Sequence, residues 1–255
     1  MDKPHYLPEK YWDAVANLIA ERGSNPLIAG DNDAYYTYKR EKFLQLLNSI
    51  DFAHKKVLEI GCGPGGNLIE VDKQRPAVLA GVDISTAMLA LCKKNTAGIV
   101  VQVEKTDGKN LRFEQRAFDI VFTSTVLQHI TDEKQLAALT ADLCRVSGRA
   151  IYLFERIEKR RKEQVSNIGR TIKEYEALLG AHSFRLKKVA WLNVYWSRIF
   201  CGVIRKVFNA GNRKEGEKQS RLSISLQKMI VVVTKRIDKW IPVKNDVAML
   251  YFERL

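Results

Sequence analysis

Between Lys55 and Phe154 the chain alternates short apolar runs with stretches whose apolar residues recur every three or four positions. The runs KKVLEI, AVLAGVDI, IVVQVEKT, FDIVFTS and RAIYLFE are rich in β-branched residues, and each predicts a strand. Between them NLIEVDKQ, STAMLALCKKN and DEKQLAALTADLCRV carry the helical period. Strands that are apolar almost throughout imply burial on both faces, and their alternation with helices implies a parallel sheet covered on both sides. The fold class is therefore α/β, doubly wound.

The flanks differ from this core. Residues 1–50 hold two helical patterns, KYWDAVANLIAERG and YTYKREKFLQLLNSI, parted by the breaker-rich GSNPLIAGDND. Beyond the core, Phe184 to Trp196 reads as a strand and DVAMLYFERL as the last one, which leaves about 45 residues between them. These predict two amphipathic helices around a polar loop, NAGNRKEGEKQS, expected to be mobile. In the first, Ile199, Val203 and Val207 form one column beside Phe200, Ile204 and Phe208. In the second, Leu222, Leu226, Met229, Ile230, Val233, Ile237 and Trp240 keep the period. Such a pair either packs on its own domain or a partner, or lies on an anionic membrane surface. The organisation expected is one domain over 1–255: a helical cap at 1–50, a core at 51–196, a basic helical insertion at 197–244 and a last strand at 245–255.

Charge sharpens that division. Residues 1–150 carry 19 lysines and arginines against 19 acidic residues, whereas residues 151–255 carry 23 against 10, so the whole formal charge of +13 sits in the C-terminal part. An anionic partner is implied there, whether substrate, membrane or nucleic acid. With 46% apolar and 28% charged residues the chain is globular in composition. MDKPHYLPEKYWDAV has neither the basic start nor the apolar run of a secretory signal, which predicts an intracellular protein. Cys62, Cys92, Cys144 and Cys201 are scattered, with no zinc-like spacing among cysteines and histidines, so reduced thiols and no structural metal are expected.

The candidate chemistry begins at VLEIGCGPGGNL, Val57 to Leu68. Gly61, Gly63 and Gly66 satisfy GxGxxG, while Gly61, Gly63 and Gly65 satisfy GxGxG. A glycine turn between strand and helix lets backbone approach a ligand closely. Asp83 ends the next strand, 22 residues after Gly61, where an acid can bind ribose hydroxyls. To this point a dinucleotide and an adenosyl cofactor are both possible. Glu59 separates them, because a carboxylate beside the loop suits a cationic amino acid end and repels a pyrophosphate. No second catalytic domain of dehydrogenase size follows either.

The ordered set VLEIGCGPGG, GVDIST, KTDGKNLRF, FDIVFTSTVLQHI and GRAIYLFE resembles the class I S-adenosylmethionine-dependent methyltransferases over residues 55–156. The resemblance implies a seven-stranded, mostly parallel sheet with the last strand antiparallel and S-adenosylmethionine across the carboxyl ends of the first strands. It assigns Glu59, Gly61, Gly63 and Gly65 to the methionine end, Asp83 to the ribose, Ile84 to the adenine face, Asp107 and Gly108 to the adenine edge and Thr123 to the methionine portion. Tyr38 and Arg40 resemble part of a cap over the cofactor, with the arginine facing its carboxylate.

Methyl transfer needs an aligned acceptor, exclusion of water and, for a hydroxyl, a base. His129 in VLQHI is the first candidate for that base and Glu155 in YLFER the second. TST after the fourth strand offers no carboxylate pair for a magnesium-dependent mechanism. The function expected is O-methylation of a sugar, a glycan, lipid-linked or of the cell surface, or another small-molecule hydroxyl. The alternatives are an RNA methyltransferase, suggested by the basic C-terminal part, and a non-catalytic protein that only binds the cofactor.

Overall fold

The computed structural model describes residues 6–22, 27, 33–211, 217 and 219–255. Most of the breaker segment 23–33 and residues 212–216 and 218 of the polar loop expected to be mobile lie outside the described residues.

Strands β1 (Lys56–Ile60), β2 (Val78–Asp83), β3 (Gln102–Lys105), β4 (Phe118–Ser124), β5 (Ser147–Ile157), β8 (Phe184–Trp191) and β9 (Asp246–Arg254) form one sheet in the order β3-β2-β1-β4-β5-β9-β8. Only β9 runs against its neighbours. A two-stranded ribbon of β6 (Lys162–Glu163) and β7 (Ile168–Gly169) stands apart. The strand order reverses at β1, and a crevice opens between β1 and β4 at their carboxyl ends, where such sheets bind ligands.

Helices cover both faces: α1 (Pro8–Arg22), α2 (Ala34–Leu47), α3 (Gly66–Asp72), α4 (Thr86–Asn95), α5 (Glu133–Val146), α6 (Ile172–Gly180), α7 (Tyr195–Phe208) and α8 (Arg221–Trp240). Alternation along the strands divides the core. Val57, Phe122 and Phe154 meet Tyr35, Tyr38, Phe43 and Leu47 of α2, while Leu58, Ile60, Val121 and Leu153 meet Leu136, Leu139 and Leu143 of α5. Helix starts follow side-chain caps, with Asp33, Ser85 and Asp132 accepting backbone N–H groups and Thr171 completing a capping box with Glu174.

One expected boundary is corrected. The strand read as running to Trp196 stops at Trp191, and α7 begins at Tyr195. The N–H groups of Trp196 and Ser197 donate to the Asp238 carboxylate at 2.8 and 3.3 Å, so α8 caps the start of α7 from a distance in sequence that no local pattern registers.

Candidate active site

The glycine turn leaves β1 with Gly61 and Cys62 both donating to the Val82 carbonyl, at 2.7 and 3.0 Å. Gly61 (φ +74°) and Gly65 (φ +88°) sit in left-handed backbone. A Cβ at Gly61 would stand 2.3 Å from Val126 Cγ2, and one at Gly65 would stand 2.9 Å from both Cys92 Sγ and Thr96 Cγ2. Conformation and close approach together require glycine at both positions.

Over the turn opens a cavity of about 820 Å³, continuous with solvent, lined by the carboxyl ends of β1, β2 and β4 and by α1. Gly61, Gly63, Asp83, Ile84, Gly108 and His129 line it, which unites six residues that the sequence scatters over 69 positions. Asp83 is almost wholly buried. Its Oδ2 accepts from Gly63 N at 2.8 Å and its Oδ1 from Ser85 N at 2.9 Å. Burial pushes its carboxyl up, and these N–H groups oppose that push. The Ile84 N–H also bonds this carboxylate, so of its four lone-pair sites one is left for a ligand.

Behind the turn Arg40 donates to Asn67 Oδ1, and Asn67 Nδ2 donates to Glu59 Oε1 at 2.5 Å. Glu59 is fully buried, and its Oε2 has no hydrogen-bond partner among the described residues. Burial drives its carboxyl up to about 8, against the pull of Asn67 and Arg40. Glu59, Gly65 and Arg40 thus stand behind the cavity wall. Arg40 reaches a ligand only through Asn67 and Glu59, because its own guanidinium is buried over the Phe43 ring.

Several expected positions are corrected. Tyr38 does not close over the cavity: it is buried on the α2 face that packs on the sheet and α8, with Lys235 Nζ 4.8 Å from its ring centre. The element that roofs the cavity is α1, through Pro8 and Trp12. Asp13 holds α1 there by accepting Ser85 Oγ at 2.6 Å and Ala87 N at 3.1 Å. Asp107 turns outward, its carboxylate accepting Lys109 N, Asn110 N and Asn110 Nδ2 in a local turn, and these donors lower its carboxyl. At that end of the cavity the polar groups are instead Thr106 and Gln135.

Glu155 and Thr123 are also relocated. Both are fully buried, and neither lines the cavity. Glu155 accepts from Thr123 Oγ1, Val126 N and Leu127 N at 3.0 Å and from Gln128 N at 3.2 Å. A carboxylate so occupied cannot take a proton from an acceptor in the cavity; it fixes the loop that follows β4. Thr125 in that loop holds φ +57°, a conformation that costs a β-branched residue about 1–3 kcal/mol. The donors gathered on Glu155 and the Thr125 N–H to Phe154 carbonyl bond at 2.7 Å hold it there.

The loop ends in a single 3-10 turn, Leu127–His129. His129 Nδ1 lies 3.0 Å from the Ser166 carbonyl, which only accepts, so Nδ1 carries the proton. Nε2 is then an acceptor, and it receives the Gln128 amide at 3.0 Å. The Trp12 ring meets the imidazole edge to face at 5.1 Å. Burial lowers the His129 pKa, so the ring is neutral at neutral pH. Arg170, fully buried, fastens the same turn by donating to the carbonyls of Leu127 and Ile130 at 2.8 Å and to Glu133 at 2.9 Å. The sequence reading missed Arg170, Trp12, Thr125 and Gln135. Trp12 stands in an amphipathic helix where it reads as core, and the role of Arg170 depends on the β6–β7 ribbon folding back.

The four cysteines are buried and free. Among the described residues no three His, Cys, Asp or Glu side chains gather in a metal-binding group.

Comparison with known proteins places this architecture. Residues 57–148 match the family described as a methyltransferase domain, and sheet order, reversed last strand and glycine cradle are those of the class I methyltransferase fold. That stretch is similar to a methyltransferase domain, and one solved structure of similar fold, a magnesium protoporphyrin IX methyltransferase of Synechocystis, holds bound SAM. The ubiquinone biosynthesis O-methyltransferase of Saccharophagus degradans is 33% identical over 145 residues, 56% of this chain and 55% of the relative. The protein of the same name from Haemophilus ducreyi is 28% identical over 163 residues, 57% of this chain and 63% of its own. The chain thus spans a little over half the length of these relatives. In fold it is similar to the (4+2)-cyclase SpnF, with a TM-score of 0.67 at 14% identity, covering 96% of this chain and 95% of that one. It is also similar to the magnesium protoporphyrin IX methyltransferase of Synechocystis with bound SAH, at 0.60 and 14%, covering 97% and 98%.

The residues present fit S-adenosylmethionine, the cofactor that the resemblance implies. Asp83 offers a carboxylate lone pair to a ribose hydroxyl, Trp12, Ile84 and Met88 supply an apolar slot for a base, and Glu59, buried behind the wall, acts on a cationic group through its field and not by direct contact.

Proposed function

We propose that this protein is an S-adenosylmethionine-dependent O-methyltransferase acting on a hydroxyl of a small molecule. The observation that carries this reading is His129: a neutral imidazole at the cavity wall, proton on Nδ1, Nε2 presented as an acceptor. A hydroxyl replacing the Gln128 amide at Nε2 would give up its proton there, and the Ser166 carbonyl would stabilise the imidazolium that results. The cofactor supplies an electrophilic methyl group on a sulfonium. Trp12 and Pro8 roof the cavity, and Glu155 and Arg170 keep the His129 turn in place. The relatives named for ubiquinone biosynthesis support oxygen as the atom methylated. They give no support to a sugar or glycan acceptor. An apolar ring carrying a hydroxyl is the acceptor class that their names favour, and Trp12, Val126, Ile130 and Leu139 line a cavity of matching character.

The test is transfer of a labelled methyl group from S-adenosylmethionine into cell extract separated into lipid-soluble ring compounds, sugars with glycolipids, and RNA, with Asp83→Ala as control. Label in the first fraction, absent with the variant, is expected. Label in sugars restores the glycan acceptor, label in RNA moves the activity to nucleic acid, and cofactor binding without any label leaves a binding protein.

A further inference from the structure

The α7–α8 hairpin buries the wrong residues for a helix pair that merely packs on its own core. The residues of α8 turned inward are Ser223, Gln227, Val231, Thr234 and Asp238, four of them polar. They meet a polar partner surface on α7: Ser197 Oγ lies 2.8 Å from Thr234 Oγ1 and donates to Asp238 Oδ2 at 2.6 Å, and Asn209 Nδ2 donates to Ser223 Oγ at 3.1 Å. Pairing of 197 with 238 and of 209 with 223 makes the helices antiparallel.

Part of each apolar column is left outside, whereas Ile204, Leu226, Ile230 and Ile237 are half-buried and Ile230 packs on the core. Val203, Val207, Met229 and Val233 are more than half exposed, and Trp240 is 79% exposed. α2 touches the hairpin through Arg205, over the rings of Tyr35 and Tyr36, and through Lys235, over Tyr38 and 3.0 Å from Glu41. At about 100° per residue Val203, Val207, Met229, Val233 and Trp240 stand roughly 120–160° round each helix from these contacts, while exposed Phe208 and Val232 stand only about 60° round. Both stripes therefore share the face turned away from α2. Exposed Lys206 and Arg236, each about 100° round from the α2 contact, border that face, within residues 151–255, which carry the whole excess positive charge.

We propose that this face docks the protein on the surface of an anionic lipid bilayer, the apolar stripes entering the headgroup boundary and the bordering lysines and arginines facing lipid phosphates. Charge complementarity selects this occupant, since a second copy would bring an equally basic face against it. Among the described residues no helix is long and apolar enough to cross a membrane, so the hairpin lies on the bilayer and does not span it. The inference does not depend on the activity proposed above.

The test is flotation of the full-length protein with vesicles of phosphatidylcholine alone, and of phosphatidylcholine with about one third phosphatidylglycerol, at low and high salt. Expected is at least about tenfold stronger partition onto the anionic vesicles, weakened by salt. Val203→Ser with Met229→Ser and Val233→Ser, all at exposed positions, should lower partition onto both vesicle types about tenfold. Lys206→Glu with Arg236→Glu should abolish the preference for anionic lipid. Unchanged thermal melting of each variant shows that the fold survives. Failure to float with anionic vesicles at low salt overturns the proposal, as does binding that neither variant alters. A dimer seen by light scattering, lost with the serine variant and unaffected by vesicles, would make a second copy the occupant.

Discussion

At the residue scale the imidazole of His129 and the carboxyl of Glu59 lead to separate measurements. Burial holds the His129 pKa below its ordinary value, so the neutral base persists to lower pH than a free imidazole. The acid limb of kcat should therefore fall below the ordinary imidazole range. His129→Gln should lower kcat by about 10²–10⁴-fold and remove that limb while leaving cofactor binding intact; a variant of full activity would end the base assignment. Glu59 behaves in the opposite sense. With its carboxyl raised to about 8, it is largely protonated at pH 7 in the free protein. A cationic group bound in the cavity favours ionisation of the carboxyl behind its wall. Cofactor binding at pH 7 should thus release a proton from Glu59, seen by calorimetry in buffers of different ionisation heat and diminished in Glu59→Gln. The released fraction should shrink as the pH rises past 8.

At the scale of elements, the loop after β4 is a strained segment held from below. Glu155 collects four donors, and Thr125 keeps a backbone conformation that the loop would otherwise leave. Glu155→Gln places an amide NH2 against N–H donors and should destabilise the fold by about 1–3 kcal/mol. Because the damage falls on the His129 turn, kcat should drop more than cofactor affinity does. Equal loss of both would show that Glu155 supports the whole cradle. The same loop shows what the sequence makes legible. Gly61, Gly65 and Asp83 are readable because backbone sterics and hydrogen bonding at a strand-to-helix turn admit few alternatives. The strands and helices between Lys55 and Phe154 are readable from period, whereas α6 and the β6–β7 ribbon go unread and β8 ends at Trp191 instead of Trp196. Glu155 is misread as a base because strand position tells which residue ends near the crevice, not which way its carboxylate is already engaged. Asp107 is misread for a related reason, since an Asx turn and an adenine contact need the same residue type. Tyr38 and Trp12 exchange roles because both are aromatic residues in amphipathic helices, and only tertiary docking decides which helix lies over the cavity.

At the scale of the whole molecule, two units of different character are joined. The sheet with its cradle carries no net charge in its first 150 residues, and the basic α7–α8 hairpin rests on α2. Asp238 is the pin between the two helices, and Asp33 ties Arg205 at 3.1 Å and Gln219 at 2.7 Å to the start of α2. Asp238→Ala strands the N–H groups of Trp196 and Ser197 and should raise hydrogen exchange in α7 and α8 by at least about tenfold, with β1, β4 and β5 unaffected. Spread of the exchange into those strands would mean that hairpin and sheet unfold as one.

The hairpin leaves β8 and re-enters β9, and these strands are antiparallel neighbours with Trp191 opposite Ala248. The stretch between them is thus an excursion whose two ends meet, and a tight turn would close the gap. A chain shortened in this way keeps all seven strands and every residue that lines the cavity. It uncovers Tyr35 and Tyr38 on α2, which set the polar substitutions such a chain would need. If both proposals hold, chemistry and address lie in separate parts of the chain, and the excursion can be exchanged, lengthened or lost while every residue that lines the cavity is kept.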